Sequence, residues 1–377
     1  MEPTKLELHT HLIGMLSVNS FINFLEENGI TRIYWPINEP SEDVSRMILL
    51  SDIKNNSILH NELLSKLQIK HGEKVDYREL NKFYKNRRDL IKFAIYTLEQ
   101  KGIEYKLAKK TIYNNYINRC LEELVKQGVK YVEISYSISQ TLLNFEIRED
   151  LKNKIICKFL LSTDRTRPLN NFKESAKDLK KVLNKGVSVG FDIMGEETEL
   201  SLEELDCNSD VSFYKKILEI LNVLIDKEDT TLRIHSGETP ESFKNTETIL
   251  MMLENIKKKF KNNVKIFPPP EIRIGHGVYF NKGNNYLRLL KELNCVIEIN
   301  ASSNMALKNI ESYDFLPYKY YIENAIPIVL STDAHGLYDT GIIREDLIAL
   351  EIIGEKLYEK IIEYDSELYS KKTGGKL

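Results

Sequence analysis

Residues 5–12 read KLELHTHL, a run that opens in alternation of polar and apolar side chains and closes on two histidines. A period of two sends successive side chains to opposite faces, which is the pattern of a β-strand. Working outward, seven more short runs have the same β-rich character: Lys130–Ser137 (KYVEISYS), Lys154–Leu161 (KIICKFLL), Val187–Ile193 (VSVGFDI), Thr231–His235 (TLRIH), Glu271–His276 (EIRIGH), Cys295–Asn300 (CVIEIN) and Pro327–Thr332 (PIVLST). Amphipathic helical patterns separate most of them. Thr246–Phe260 is one, with Thr246 and Glu247 supplying a cap and an acidic first turn. Eight strands, each followed by a helix, predict an α/β chain folded as a (β/α)8 TIM barrel.

The irregularity lies between the first two strands, where residues 17–127 show almost no strand pattern. Asp76–Gln100 and Glu104–Gln127 read as helices, and Gly128 is a natural stop. An insertion there would sit over the barrel mouth as a helical cap, so we expect one domain over 1–377 with a cap at about 17–127. The lysine-rich stretches near residue 260 and at SKKTGGK (370–376) read as solvated faces and a frayed tail.

Composition narrows the function. Lys and Arg total 53 against 56 Asp and Glu, a net charge of −3 that argues against a nucleic-acid binder. No apolar run is long enough for a membrane span, and the first residues lack the charged and apolar regions of a secretion signal, so the expectation is a soluble cytoplasmic protein that binds no membrane. Four widely spaced cysteines fit neither a zinc knuckle nor a disulfide framework. Nothing in the sequence reads out an oligomeric state.

The chemistry lies at the strand ends. His9 and His11 are two apart, so both project from one strand face and can share a metal ion. Alone, such a pair is weak evidence. His235 ends TLRI and Glu238 follows three residues later in HSGE, so one can ligate while the other leans over the site. In RIGHG, Gly275 and Gly277 flank His276 and permit close backbone approach. STDAHG places Asp333 at the tip of the last strand. Three histidines and an aspartate form a borderline-soft donor set that suits one Zn2+ per chain.

The ordered set ELHTHL, VGFDIMGEE, HSGE, RIGHG, EINASSN and STDAHG resembles the adenosine/AMP deaminase family of metal-dependent hydrolases across nearly the whole chain. The resemblance implies that His9, His11, His235 and Asp333 hold a catalytic zinc, that Glu238 shuttles a proton to purine N1, and that His276 orients and helps deprotonate the zinc water. It also implies that Gly195 meets purine N3 through its amide, and that Glu298 and Ser303 occupy supporting positions, Ser303 on the substrate side. The substrate would be a purine nucleoside or nucleotide, deaminated to its inosine form. Zinc lowers the pKa of bound water from 15.7 to roughly 7, and a carboxylic acid raised by a dry pocket can protonate N1 as water attacks C6.

Two positions depart from the family. Ile13 stands where an Asp or Asn usually contacts the ribose 5′ side, which favours a substrate carrying a 5′-phosphate such as AMP or dAMP. Arg87, Arg88, Arg165 and Arg167 are the candidate phosphate partners. Ala334 stands where a second Asp reads purine N7, and His335 is the candidate replacement. The HxH and DAH pair also permits a rival reading, a PHP-type metal-dependent phosphoesterase, although HSGE, RIGHG and the eighth strand speak for deamination. His60 and His71 in the insertion read as surface or packing residues.

Overall fold

Lys5–His11 forms β1, but its alternation is not kept to the end. A register shift against the next strand between Glu7 and Thr10 works as a bulge, so Leu8 faces inward below while His9 and His11 face the mouth. The other barrel strands are β2 (Val129–Tyr136), β3 (Ile156–Asp164), β4 (Ser188–Met194), β5 (Thr231–Ser236), β6 (Glu271–His276), β7 (Val296–Ile299) and β8 (Ile328–Leu330). Each pairs in parallel with its successor, giving one eight-stranded sheet in sequence order. This computed structural model describes residues 5–37, 44–70, 72–261, 270–307 and 309–374, and His71 lies outside them.

The sheet closes between β8 and β1 by a single bridge, Thr10 with Asp333. Two backbone bonds make it, His11 N–H to Asp333 O at 2.7 Å and Asp333 N–H to His9 O at 2.8 Å. Below the bridge, side chains stand in for ladder bonds. The Ser331 hydroxyl accepts from the amides of Leu8 and His9, and the buried Glu7 carboxyl accepts the Thr332 amide and hydroxyl.

Inside, the barrel is layered. Leu6, Leu8, Tyr131, Val296 and Val329 form an apolar floor closed by Leu368 of the final helix, Glu355–Thr373. Above it lies a layer of ions. Arg273 pairs with Glu271 at 2.6 Å, Glu133 at 2.8 Å and Glu298 at 3.3 Å. Arg233 pairs with Glu298 at 2.7 Å and Asp192 at 3.2 Å, and it donates to the Ser135 hydroxyl at 2.8 Å and to the Leu8 carbonyl. Charges this deep persist only when each meets opposite charge and hydrogen-bond partners.

The insertion contains the helices Val18–Glu27, Ser57–Leu67, Tyr77–Gln100 and Tyr105–Lys126, the third started by a capping box between Asp76 and Glu79. Gly128 ends the last of them at φ +80°, and β2 follows. Two features differ from the sequence reading. A short antiparallel hairpin, Arg32–Tyr34 with Met47–Leu49, lies in the insertion; strands of three residues are too brief to show periodicity. Lys371 and Lys372, expected in a frayed tail, belong instead to the final helix, where Lys372 is held near Glu271 at 3.6 Å and Glu133 at 3.9 Å, while Lys376 lies outside the described residues. Among the described residues no helix is long and apolar enough to cross a membrane.

Gly190 on β4 sits opposite Thr231 on β5, and a Cβ there would stand 1.9 Å from the Thr231 carbonyl oxygen. Gly190→Ala must part the two strands, so it should destabilise the fold by at least about 2 kcal/mol. Gly283→Ala, at a position with no atom within 4 Å of the added carbon, should melt like the parent in a thermal scan.

Candidate active site

Ends of four strands converge at the mouth. His9 and His11 come from β1, His235 from β5, His276 from β6, and Asp333 from the turn after β8, while Glu238 follows β5 in a tight loop. Ligand atoms of His9, His11 and His235 lie within 4.8 Å of one another. Asp333 Oδ1 stands 3.3 Å from His11 Nε2 and 3.9 Å from His9 Nε2. The structure therefore brings together the four residues expected to hold metal.

The orientation of His9 tests whether a cation fits. Its Nδ1 faces Glu298 Oε2 at 3.0 Å and the Asn300 amide nitrogen at 3.2 Å, while Nε2 is buried and makes no hydrogen bond. A carboxylate behind an imidazole that aims its other nitrogen into a donor cluster is the usual support for a metal ligand. His235 has its own carboxylate, Asp192, 3.3 Å from Nε2, and Asp333 Oδ2 accepts from the Ser303 hydroxyl at 2.6 Å. Burial, with Arg233 and the neighbouring histidines, holds His9 well below the ordinary imidazole range, and burial takes His11 to about 4 despite Asp333. Burial also lowers His235, but Asp192 outweighs it and the net shift is upward. Three imidazoles and a carboxylate make a donor set that fits a divalent ion such as zinc.

Glu238 and His276 stand on one side of this cluster, with Oε1 and Nε2 3.7 Å apart. His276 Nε2 is also 3.3 Å from His235 Nδ1. Burial pushes Glu238 up to about 7, against the pull of His235 and a hydrogen bond from Tyr77. Burial takes His276 down to about 4. His276 and Asp333 both have positive φ, 69° and 62°, a conformation that non-glycine residues adopt at a cost and keep where surrounding bonds impose it. The glycines of RIGHG are required by space: a Cβ on Gly275 would stand 2.8 Å from His9 Cε1, and one on Gly277 2.7 Å from Ile297 Cγ2.

The sequence reading stopped at Gly195 in DIMGEE and missed Glu197 two residues later. Glu197 is buried, and its carboxylate accepts from the Glu238 amide at 2.8 Å and from Ser236 Oγ and Asn245 Nδ2 at 3.1 Å each. It fixes the loop that carries Glu238. The second acid of the GEE motif was the available signal, but its direction depends on β5 and the helix after it.

A cavity of about 510 Å³ opens over the cluster. Its wall includes Ile13, Gly195, Glu238, His276 and Asp333, together with Tyr77, Tyr84, Arg88 and Lys92 of the helix Tyr77–Gln100. Several expected substrate contacts lie elsewhere. Arg87 is buried and donates to the carbonyls of Leu67, Leu16 and Gly336, which ties the insertion to the barrel loops. Arg165 lies behind the site, donating to the His235 carbonyl with Glu197 3.7 Å away. Arg167 is exposed outside the cavity wall. Ser303 is engaged with Asp333 and supports that carboxylate rather than a substrate. His335 turns toward Glu123, 3.3 Å away, and does not line the cavity, so neither the N7 role nor a DAH metal site follows from its position. Ala334 is fully buried, with its Cβ 2.4 Å from where a Cβ on Gly14 would be.

Residues 270–357 match the family model for adenosine deaminase. The adenosine deaminase of Clostridium botulinum strain 657 is 25% identical over 343 residues, which is 90% of this chain and 86% of the relative. The N6-methyl-AMP deaminase of Arabidopsis thaliana superposes with a TM-score of 0.61 at 18% identity, covering 95% of this chain and 88% of that one. An amidohydrolase of Burkholderia ambifaria with bound zinc gives 0.61 at 14% identity, covering 98% and 89%. These solved structures share the barrel fold. The chain is thus similar to the adenosine deaminases, the family that its motifs resemble.

Proposed function

We propose that the protein is a zinc-dependent hydrolase that removes the 6-amino group of an adenine nucleoside or 5′-nucleotide and releases ammonia. The observation that carries this reading is the convergence of His9, His11, His235 and Asp333 with Glu238 and His276 at the inner end of one cavity. The relatives' names, adenosine deaminase and N6-methyl-AMP deaminase, support the same reaction class.

His9, His11, His235 and Asp333 would hold the ion, which when bound supplies the Lewis acid that activates water near neutral pH. The remaining work falls to side chains. His276, neutral because of burial, accepts a proton from the attacking water at its Nε2. Glu238, with its carboxyl raised to about 7, is protonated enough to donate to ring N1, so the electrons displaced by addition at C6 have a destination. The proton held by His276 then passes to the exocyclic nitrogen, the C6 hydroxyl returns a proton to Glu238 as the C6–N bond breaks, and ammonia leaves the 6-oxo product. Gly195 in the cavity wall offers its amide to N3. Ile13 beside the site gives the sugar an apolar contact and no hydrogen bond.

Glu238→Gln retains shape but has no acid to donate. Ammonia release should fall about 1,000-fold while metal per chain, read by elemental analysis, stays at the parent value. Gly275→Ala should do the reverse to the metal: a carbon 2.8 Å from His9 Cε1 displaces that ligand, and zinc affinity should drop at least about 10-fold with the circular dichroism spectrum unchanged. An ammonia and phosphate assay across adenine, adenosine, deoxyadenosine and their 5′-phosphates should give ammonia alone; phosphate release without ammonia would replace deamination by the phosphoesterase reading.

A further inference from the structure

Six side chains of the helix Tyr77–Gln100 line the cavity, Leu80 among them, and the five polar ones form one stripe: Tyr77, Asn81, Tyr84, Arg88 and Lys92. Spacings of four, three, four and four keep them on one helix face. The stripe changes chemistry along its length, from phenols and an amide beside Glu238 to two cations at the far end. Tyr77 shares the wall with Glu238, so it marks the end where the purine ring is worked on.

Arg88 stands apart from the other arginines considered for a phosphate. It is exposed, it lies in the cavity wall, and among the described residues it makes no hydrogen bond and no ion pair with a carboxylate. Its neighbours are the phenols of Tyr84, Tyr113 and Tyr136, all in the same wall. Asp164, a carboxylate of that wall, is engaged by the amide and hydroxyl of Thr166 at 2.8 and 2.6 Å. Lys92, one turn beyond Arg88, has among the described residues only the exposed pair with Asp89 at 3.1 Å.

Length fits a nucleotide. Eleven residues at helical rise place the Arg88 backbone about 16 Å beyond that of Tyr77. From C6 to the phosphorus of a 5′-monophosphate is on the order of 10 Å through bonds of about 1.5 Å. Helix side chains lean toward the N-terminus, so Arg88 reaches back across the remainder. A free nucleoside ends at a neutral hydroxyl short of it. The geometry points to Arg88, extended by Lys92, as the phosphate-holding end of this cavity, which makes the substrate a 5′-phosphorylated adenine nucleoside. The inference rests on the deamination reading.

The test compares kcat/KM for AMP and adenosine in the parent, Arg88→Gln, Arg88→Lys and Lys92→Gln. The parent should prefer AMP. Arg88→Gln should shrink the AMP-to-adenosine ratio 10- to 100-fold, mainly through KM for AMP, with Arg88→Lys recovering part and Lys92→Gln losing less. A ratio that Arg88→Gln leaves unchanged, or a parent that prefers adenosine, overturns the assignment. Calorimetric binding of IMP and inosine requires no turnover and separates the two readings. Weaker IMP binding in Arg88→Gln upholds the phosphate site even if no ammonia is released from either substrate, a result that would defeat deamination alone. Equal IMP affinity in parent and variant defeats the phosphate site.

Discussion

The molecule depends on a narrow seam. β1 and β8 meet through one bridge, and its two backbone bonds join His9 and His11 directly to Asp333. Barrel closure and the gathering of three prospective ligands are thus one event. A slip of one residue at the seam would turn the histidines to the other face. Glu7 and Ser331 guard against it by meeting the amides of Thr332, Leu8 and His9 where the regular ladder is missing.

Behind the seam, the ionic layer carries positional information toward the mouth. Arg273 and Arg233 both grip Glu298, Glu298 faces His9, and Arg233 also grips Asp192, which faces His235. Two imidazoles from different strands are therefore oriented by one connected set of buried charges. An apolar filling of equal volume could be as stable, but it would leave those rings free to turn. The layer costs desolvation and contributes direction.

Much of this was legible in the sequence. The eight strands showed because each is a short β-rich run bounded by helical pattern, and the cluster showed because histidines are few and most stand at strand ends. The bulge in β1 was not visible, since KLELHTHL reads as regular alternation and only pairing with β2 reveals the shift. The fates of Arg87, Arg165, Ser303 and His335 were hidden for a common reason. Each side chain is directed by a segment distant in sequence, for example Arg87 by carbonyls at Leu16 and Gly336. Residue type and spacing report which groups reach the rim, and they do not report which way a long side chain turns once there. Glu197 illustrates the converse, a residue in a recognised motif whose partner, the Glu238 amide, exists only after β4 and β5 pair.

The position of Asp333 after the last barrel strand has a consequence for biosynthesis. A growing polypeptide displays His9 and His11 early and His235 much later, yet the carboxylate that completes the quartet emerges only with β8, and the floor residue Leu368 later still. A chain made only as far as β7 therefore lacks the fourth donor, and an ion held by all four side chains would require β8 to have joined β1.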